Sequence, residues 1–328
     1  MAVYDHSIRP LLPEFINGKS HKQFMDKVKA SDKENGHHYI DNKKFPTFVQ
    51  EENFEAVSRF KVRDDDVFCV GYVRSGNHWQ AEILKLILNG GRQDFDRSSL
   101  SAALEMTLPT HPLTMNGSMR RSDEFLREMP SPRVMGSHCP DCYFPPQVFN
   151  KGKVVYIARN PKDMLVSSYK QLKAFQSFRS SLDFDEVLWE FYNGQGLYGS
   201  WFDHVLGYWK RRDHPNVLFV KYEDLHKDLR GGVKRIAQHL GEDLSDDVID
   251  RITEAVTFGQ MQRAYQKYED EGDETAKLAT RALGVVPFLR KGVVGAWKEM
   301  FTGEQSALFD KIYAHKMEGT GLEFDFEL

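Results

Sequence analysis

The chain has 328 residues, is 41% apolar, and sets 44 Lys and Arg against 48 Asp and Glu for a formal charge of −4. Such a length buries a large core in one α/β domain or two small ones, and so mild a charge argues against bulk nucleic-acid binding, leaving any anion site local. The only cysteines are Cys69, Cys139 and Cys142, too few for a disulfide framework, which points to a reducing, cytoplasmic compartment.

Residues 1–65 are polar and mixed, and SDKENGHH (31–38) reads as an exposed loop. The opening MAVYDHSIRPLLPEF has no basic stretch followed by an apolar one, so no secretory signal is expected. The apolar runs are too short to span a membrane. From about Val67 short apolar runs alternate with helix-patterned stretches, the mark of βαβ units. VFCVGY (67–72), KVVYIA (153–158), VLFVKY (217–222) and, more weakly, RVMGSH (133–138) are the expected strands. Their unbroken apolarity suits strands covered on both faces. Asn77 is the expected cap of a helix whose Ile83, Leu84, Leu86 and Ile87 share one face, ending near Gly90-Gly91. Asn160 with Pro161 caps a second helix, PKDMLVSSY. WFDHVLGYWKRR (201–212), GVKRIAQHL (232–240) and EQSALFDKIYAHKM (304–317) have helical period, while acidic KYEDEGDETAK (267–277) reads as an exposed loop or frayed helix. The fold class is therefore α/β, a central parallel sheet flanked by helices.

Three segments carry anion chemistry. VFCVGYVRSGNHW (67–79) is strand, tight loop, helix. A helix N-terminus there offers free N–H groups, Gly76 admits a phosphate close to the backbone, Ser75 and Asn77 add short donors, and Arg74 adds a charged fork. Gly71 and Gly76 have the spacing of a nucleotide-triphosphate loop, but Asn77-His78 stand where Lys and Ser/Thr belong, so γ-phosphate chemistry is not expected. An ordinary βα turn uses the same residue types. KVVYIARNPKDMLVSSY (153–169) repeats the logic with Arg159 at a strand end and Ser167 eight residues later. FLRKGVVGAWKEMFT (288–302) groups Arg290, Lys291 and Gly292, which suits a terminal phosphate monoester. Taken singly, a surface salt bridge or a solvated basic turn explains either cluster.

Together these segments resemble the cytosolic sulfotransferase family. Its 5′-phosphosulfate loop, Y-P-K-S-G-T-T-W, is similar to Tyr72 through Trp79, and its late R-K-G-x-x-G-x-W-K-x-x-F-T signature to Arg290 through Thr302. YIARNPKDMLVSSY, LYGSWFDHV (197–205), NVLFVKYEDLHKD (216–228) and NFEAVSRFKVRDDDVF (53–68) also look like the family. The resemblance covers roughly 45–325, with 1–44 as a substrate-side extension of a single domain spanning 1–328. It implies a P-loop-like site for 3′-phosphoadenosine 5′-phosphosulfate (PAPS), with adenosine 3′,5′-bisphosphate (PAP) as product. Arg74, Ser75, Gly76, Asn77 and His78 would line the 5′-phosphosulfate. Arg159, Ser167, Arg290, Lys291 and Gly292 would hold the 3′-phosphate. Trp79, Tyr222 and Phe258 would flank the adenine, although core packing is the usual fate of aromatics.

SPRVMGSHCPDCYFPP (131–146) is similar to the family's P-R-x-x-K-T-H-L-P, which puts His138 on the catalytic base, with Arg74 as its cationic partner at the leaving phosphate. Imidazole suits removal of an acceptor proton near neutral pH, and the implied displacement at sulfur requires no metal. Arg74 replaces the family's loop Lys, Gly136 replaces a second Lys, and Asn77-His78 replace Thr-Thr. Arg74 with His78 is expected to restore the lost positive charge. The alternative is a catalytically weak or inactive member that still binds PAPS or PAP. The dimer motif K-x-x-x-T-V-x-x-x-E keeps Lys298 and Thr302 but has Gly303 and Ala307 for Val and Glu, so a homodimer is doubtful. Cys139-Pro140-Asp141-Cys142 invites a redox or zinc reading, which Pro145-Pro146 and the lack of a second Cys pair oppose. The expected partner is a small-molecule acceptor, with neither nucleic acid nor membrane. Phe45, Phe48, Tyr143, Phe144 and Phe175 suggest an apolar or aromatic acceptor pocket, and core packing explains them equally. Stable sulfation and sulfonate-driven dehydration are not separated by these residues.

Overall fold

The computed structural model describes residues 7–12, 15–16, 19–20, 22–23, 26, 28, 30, 32, 37–46, 49–95, 103–109, 119–174, 183–271 and 291–328. Val67–Gly71 forms β1, with all five residues buried. It lies between β2 (Val134–Ser137) and β3 (Lys153–Ala158), and β4 (Val217–Lys221) pairs with β3. The order β4-β3-β1-β2 is parallel at every pairing, with Cys69 opposite both Gly136 and Val155.

Successive side chains of a strand point to opposite faces. Phe68 and Val70 of β1 join Val154 and Tyr156 of β3 in one core, while Val67 and Cys69 join Val155 and Ile157 in a second. Strands that feed two cores need apolar residues at every position, which is why the sheet is legible as unbroken apolar runs.

Helices cover both faces. One core takes Met164 and Val166 from α2 (Pro161–Ala174), Leu188 and Phe191 from α3 (Phe184–Tyr192), Val205 from α4 (Trp201–Trp209) and Phe309 from α9 (Gly303–Met317). The other takes Ile83, Leu84, Leu86 and Ile87 from α1 (Asn77–Leu88), Val233 and Ile236 from α6 (Leu229–Leu240), and Ile249 and Ile252 from α7 (Asp246–Ala255). Between β4 and α6 runs the short α5 (Tyr222–Lys227), and α8 (Phe258–Glu271) follows α7.

Two helix starts test the expected caps. Asn160 caps α2 as expected: its Oδ1 accepts from the Asp163 N–H at 2.9 Å, a bond of the kind that contributes about 1 kcal/mol. Asn77 does not cap α1. Gly76 is the N-cap and Asn77 the first helical residue, because the Asn77 amide is engaged with the Gly71 carbonyl at 3.0 Å instead. The acidic stretch from 267 continues α8 to Glu271, and its remainder lies outside the described residues. α4 stops at Trp209, three residues before the expected end.

Because all four strands run the same way, their C-terminal ends share one edge of the sheet. β1 runs into the loop 72–76, β2 into His138, β3 into Arg159 and β4 into Tyr222. Open parallel sheets bind ligands at such an edge.

Candidate active site

The loop after β1 has a shape that its glycines permit. Arg74 and Gly76 have φ of 65° and 107°. A Cβ on Gly76 would lie 2.8 Å from the Tyr222 ring, and one on Gly71 would lie 2.7 Å from the Ile157 carbonyl oxygen. The backbone can therefore pass close to β3 and Tyr222, and the loop leads directly into the positive end of the α1 dipole. The Ser75 hydroxyl is fully buried and has no hydrogen-bond partner among the described residues. Buried hydroxyls are ordinarily bonded, so a group that supplies acceptor oxygens fits this cradle.

Arginines join the loop to β3 and to the late glycine-rich segment. Arg74 Nε donates to Ser167 Oγ at 3.0 Å. Arg159 Nη2 donates to the Val293 carbonyl at 3.0 Å, and the guanidinium sits 4.4 Å from the centroid of the Tyr222 ring. Arg159 Nε is buried without a partner among the described residues. Asp163, one turn into α2, accepts from the Gly295 N–H and the Trp297 N–H, both at 2.8 Å. That carboxylate ties residues 291–297 to the start of α2. Gly292 has φ 61°, and a Cβ there would sit 2.4 Å from the Phe258 ring. Lys291 pairs with Glu299. The structure thus brings Arg74, Gly76, Asn77, His78, Arg159, Ser167, Lys291 and Gly292 to one cavity, with Ser75 buried in the loop between Arg74 and Gly76 and Ser167 bonded to Arg74 (not Arg159); Arg290 lies outside the described residues.

The aromatics gather at one end. Trp79 packs against Tyr222 at 5.2 Å, and its Nε1 donates to the Val256 carbonyl at 2.8 Å. Phe258 stands at the start of α8 and lines the same cavity. His226 joins them, 4.6 Å from the Tyr222 ring and 5.0 Å from Trp79. Sequence reasoning missed His226, although its i+4 spacing from Tyr222 on a helix was the available signal. The cavity holds about 450 Å³, within the usual range for a small-molecule site.

His138 is held on three sides. Its Nδ1 lies 2.7 Å from the Gly71 carbonyl oxygen, which also accepts from Asn77 Nδ2 at 3.0 Å. A carbonyl accepts two hydrogen bonds, so both donors are satisfied when Nδ1 carries the proton, and Nε2 keeps its lone pair. The His138 N–H donates to Glu105 Oε1 at 2.8 Å. Its carbonyl accepts from His204 Nε2 at 2.9 Å, and His204 Nδ1 in turn accepts from the Tyr156 hydroxyl at 2.8 Å. Burial is the main reason that the His138 pKa lies below its ordinary value; Glu105 and the Gly71 carbonyl push it up, and Arg74 pushes it down. The ring is therefore a neutral imidazole at neutral pH, as a base must be. Glu105 and His204 also escaped the sequence reading. Both bond the backbone of His138, a placement that no local pattern encodes.

One expectation is overturned here, and one open alternative is decided. His78 does not restore positive charge: burial, then Arg74 and His138, lower its pKa to about 4, so Arg74 alone carries the charge of the loop. Phe45, Tyr143 and Phe144 belong to the packed core. Phe45 is fully buried, 5.0 Å from Phe54 and 5.3 Å from Tyr198, because its hairpin (His38–Ile40 with Lys43–Phe45) turns it inward. Tyr143 rests 4.5 Å from Phe54, and Phe144 packs on Phe68 and Phe149. Beyond His138 the cavity is walled instead by Met106, Leu172, Phe191, Leu197 and Tyr198; Phe48 and Phe175 lie outside the described residues. Cys139 is buried and Cys142 exposed, both as free thiols. Burial first, then Glu105, raises the Cys139 pKa well above the ordinary thiol value, so it is not an activated thiolate. Among the described residues no group of three or more His, Cys, Asp and Glu is placed to hold a metal ion. No helix among them is long and apolar enough to cross a membrane.

Comparison with known proteins points to one family. Residues 64–321 match the family described as the sulfotransferase domain. The chain is 33% identical over 282 residues to Sulfotransferase 1C2 of Rattus norvegicus, covering 84% of this chain and 91% of the relative. It is also 33% identical over 288 residues to the amine sulfotransferase of Oryctolagus cuniculus, covering 86% and 90%. Among solved structures, mouse sulfotransferase SULT7A1 complexed with PAP superposes with a TM-score of 0.68 at 28% identity, covering 86% of this chain and 94% of the other.

Proposed function

Since the chain belongs to the sulfotransferase family, we propose that it transfers a sulfonate group from PAPS to a hydroxyl or amine of a small, apolar or aromatic acceptor, with His138 as general base. The observation that carries the reading is the position of His138: Nδ1 is committed to Gly71, and the residue lines the same cavity as the anion cradle. PAPS supplies an activated sulfonate and a stable bisphosphate leaving group. The solved mouse relative holds PAP, and the fully buried Ser75 hydroxyl and unpaired Arg159 Nε fit the oxygens of such a ligand.

Each part of the site then has a task. Arg74, Ser75, Asn77 and the N-terminal end of α1 face the 5′ group and offset the charge that gathers on the leaving phosphate. Arg159, Lys291 and Gly292, with Ser167 orienting Arg74, receive the 3′-phosphate. Trp79, Tyr222 and Phe258 hold the base. As the acceptor oxygen bonds to sulfur and the bond from sulfur to the bridging oxygen breaks, the acceptor proton passes to His138 Nε2. Walls such as Met106, Leu172 and Phe191 suit an apolar acceptor body.

One observation favours the second reading, a weakly active PAP-binding member. Gly136 brings no charge beside His138, and burial keeps His78 neutral. The experiment is a calorimetric titration with PAP, using 5′-AMP and ATP as comparators. PAP is expected to bind best, and Arg159→Ala to weaken it about tenfold or more through loss of a charged partner. With phenolic and amine acceptors supplied, His138→Ala is expected to abolish transfer while PAP still binds. No preference for PAP would remove the donor assignment. Binding without transfer in the unaltered chain would leave the second reading.

A further inference from the structure

Beneath His138 lies a carboxylate that the mechanism above leaves without a task. Glu105 is fully buried. It rides on a segment docked along the outer edge of β2, where Ala103 bridges Gly136 and the Leu104 N–H donates to the Gly136 carbonyl at 2.9 Å. Oε1 accepts from the His138 N–H and Oε2 from the Ser137 hydroxyl, each at 2.8 Å. Ser137 Oγ accepts from the Cys139 N–H at 3.0 Å, so one network braces the whole strand end. These partners are a hydroxyl and a backbone N–H, not a cation.

A buried charge without a cation is destabilising. Hydrogen bonding does not explain why the residue is a carboxylate, since a Gln amide could accept from His138 and donate to Ser137. What Glu adds is its negative charge, beside a ring that becomes positive when it takes a proton. We infer that Glu105 is a positioning residue for His138, its buried charge favouring the imidazolium that forms during transfer while its oxygens fix the backbone of the histidine. The inference rests on the reading of His138 as the base.

Other groups face His138 from every side. Arg74 opposes its protonation from the loop after β1, and His78 on α1 and His204 on α4 are buried and neutral. The Tyr198 ring lies 5.4 Å from the imidazole, and burial and then Glu105 hold its phenol well above the ordinary value. Among these neighbours Glu105 is the negative charge, and it is the group that most raises the pKa of His138.

The test follows the His138 imidazole Cε1–H resonance by NMR against pH in the full chain, identified by its loss in His138→Ala. It needs neither donor nor acceptor. Glu105→Gln is expected to lower the titration midpoint by about one unit. Ser137→Ala keeps the charge but removes one of its hydrogen bonds, so the midpoint should rise. An unmoved midpoint in Glu105→Gln overturns the inference. Should that variant not fold, Ser137→Ala decides alone: a rise supports the inference, and no change or a fall overturns it. With 1-naphthol as acceptor, the acid limb of kcat in Glu105→Gln should move to lower pH with PAP affinity unchanged. If the unaltered chain transfers nothing to any acceptor, the assignment of function falls, and the NMR midpoints still judge Glu105.

Discussion

Gly76 shows how narrow the tolerance of this site is at the scale of a residue. Its φ of 107° is a conformation that L side chains rarely adopt, and a Cβ would meet Tyr222 at 2.8 Å. Gly76→Ala is therefore expected to cost about 1–3 kcal/mol of stability and to weaken PAP binding, because either the loop or the Tyr222 ring must move. Thermal unfolding and calorimetry check both effects; a variant normal in each would mean that the loop relaxes freely. At this scale much of the site was legible in the sequence. Arg74, His138, Arg159 and Tyr222 each follow an apolar run that could be read as a strand, so their chemistry stood at recognisable places. Glu105 and His204 were not legible. One sits in a segment with little periodicity and the other in the middle of a helix, and each gains its role from the His138 backbone that the fold brings to it.

Among the elements, α2 does more than cover the sheet. Its first turn carries the Asn160 cap and, at Asp163, the carboxylate that receives the Gly295 and Trp297 N–H groups. Asp163→Ala strips both bonds from the segment that bears Lys291 and Gly292. PAP affinity is expected to fall about tenfold while 5′-AMP, which has no 3′-phosphate, loses little. Equal losses for both ligands in calorimetry would show a general collapse of the helix start. The strands and most helices were legible because burial on two faces and 3.6-residue periodicity leave clear traces. The cap of α1 was misread because Asn77, although a good capping residue, spends its amide on Gly71. The sequence leaves the acceptor walls open because aromatic residues serve a core and a pocket alike, and at Phe45 only the turn of the hairpin decides between them.

Across the whole molecule, buried neutral histidines set the response to acid. Burial lowers His78 and His239 to about 4 and His204 to about 3. In the unfolded chain each takes up a proton near pH 6.5. The unfolded state thus binds more protons below that value, and the stability present above pH 6.5 is lost as pH falls towards 4. Glu223, raised by burial to about 7, acts the other way, since its burial as an anion is relieved as pH falls through 7. Three groups outweigh one, so the thermal midpoint is expected to be lower at pH 5 than at pH 7, and melts followed by circular dichroism at both values would show it. Equal midpoints would mean that the histidines are more accessible than their packing implies.

The final residues are joined to the same region. Leu322 and Phe324 are buried in the first core, the Phe326 carbonyl accepts from Trp297 Nε1 at 2.8 Å, and Glu327 pairs with Lys298. Trp297 is the residue whose N–H is held by Asp163. During synthesis, a nascent chain broken off before Leu322 has its sheet, its first loop and His138, but lacks the carbonyl that receives the Trp297 indole N–H, leaving that ring to its contacts with Lys162 and Phe301. The segment that bears Lys291 and Gly292 is then among the last parts of the growing polypeptide to be fully braced, and a product ending before Leu322 is expected to bind PAP more weakly.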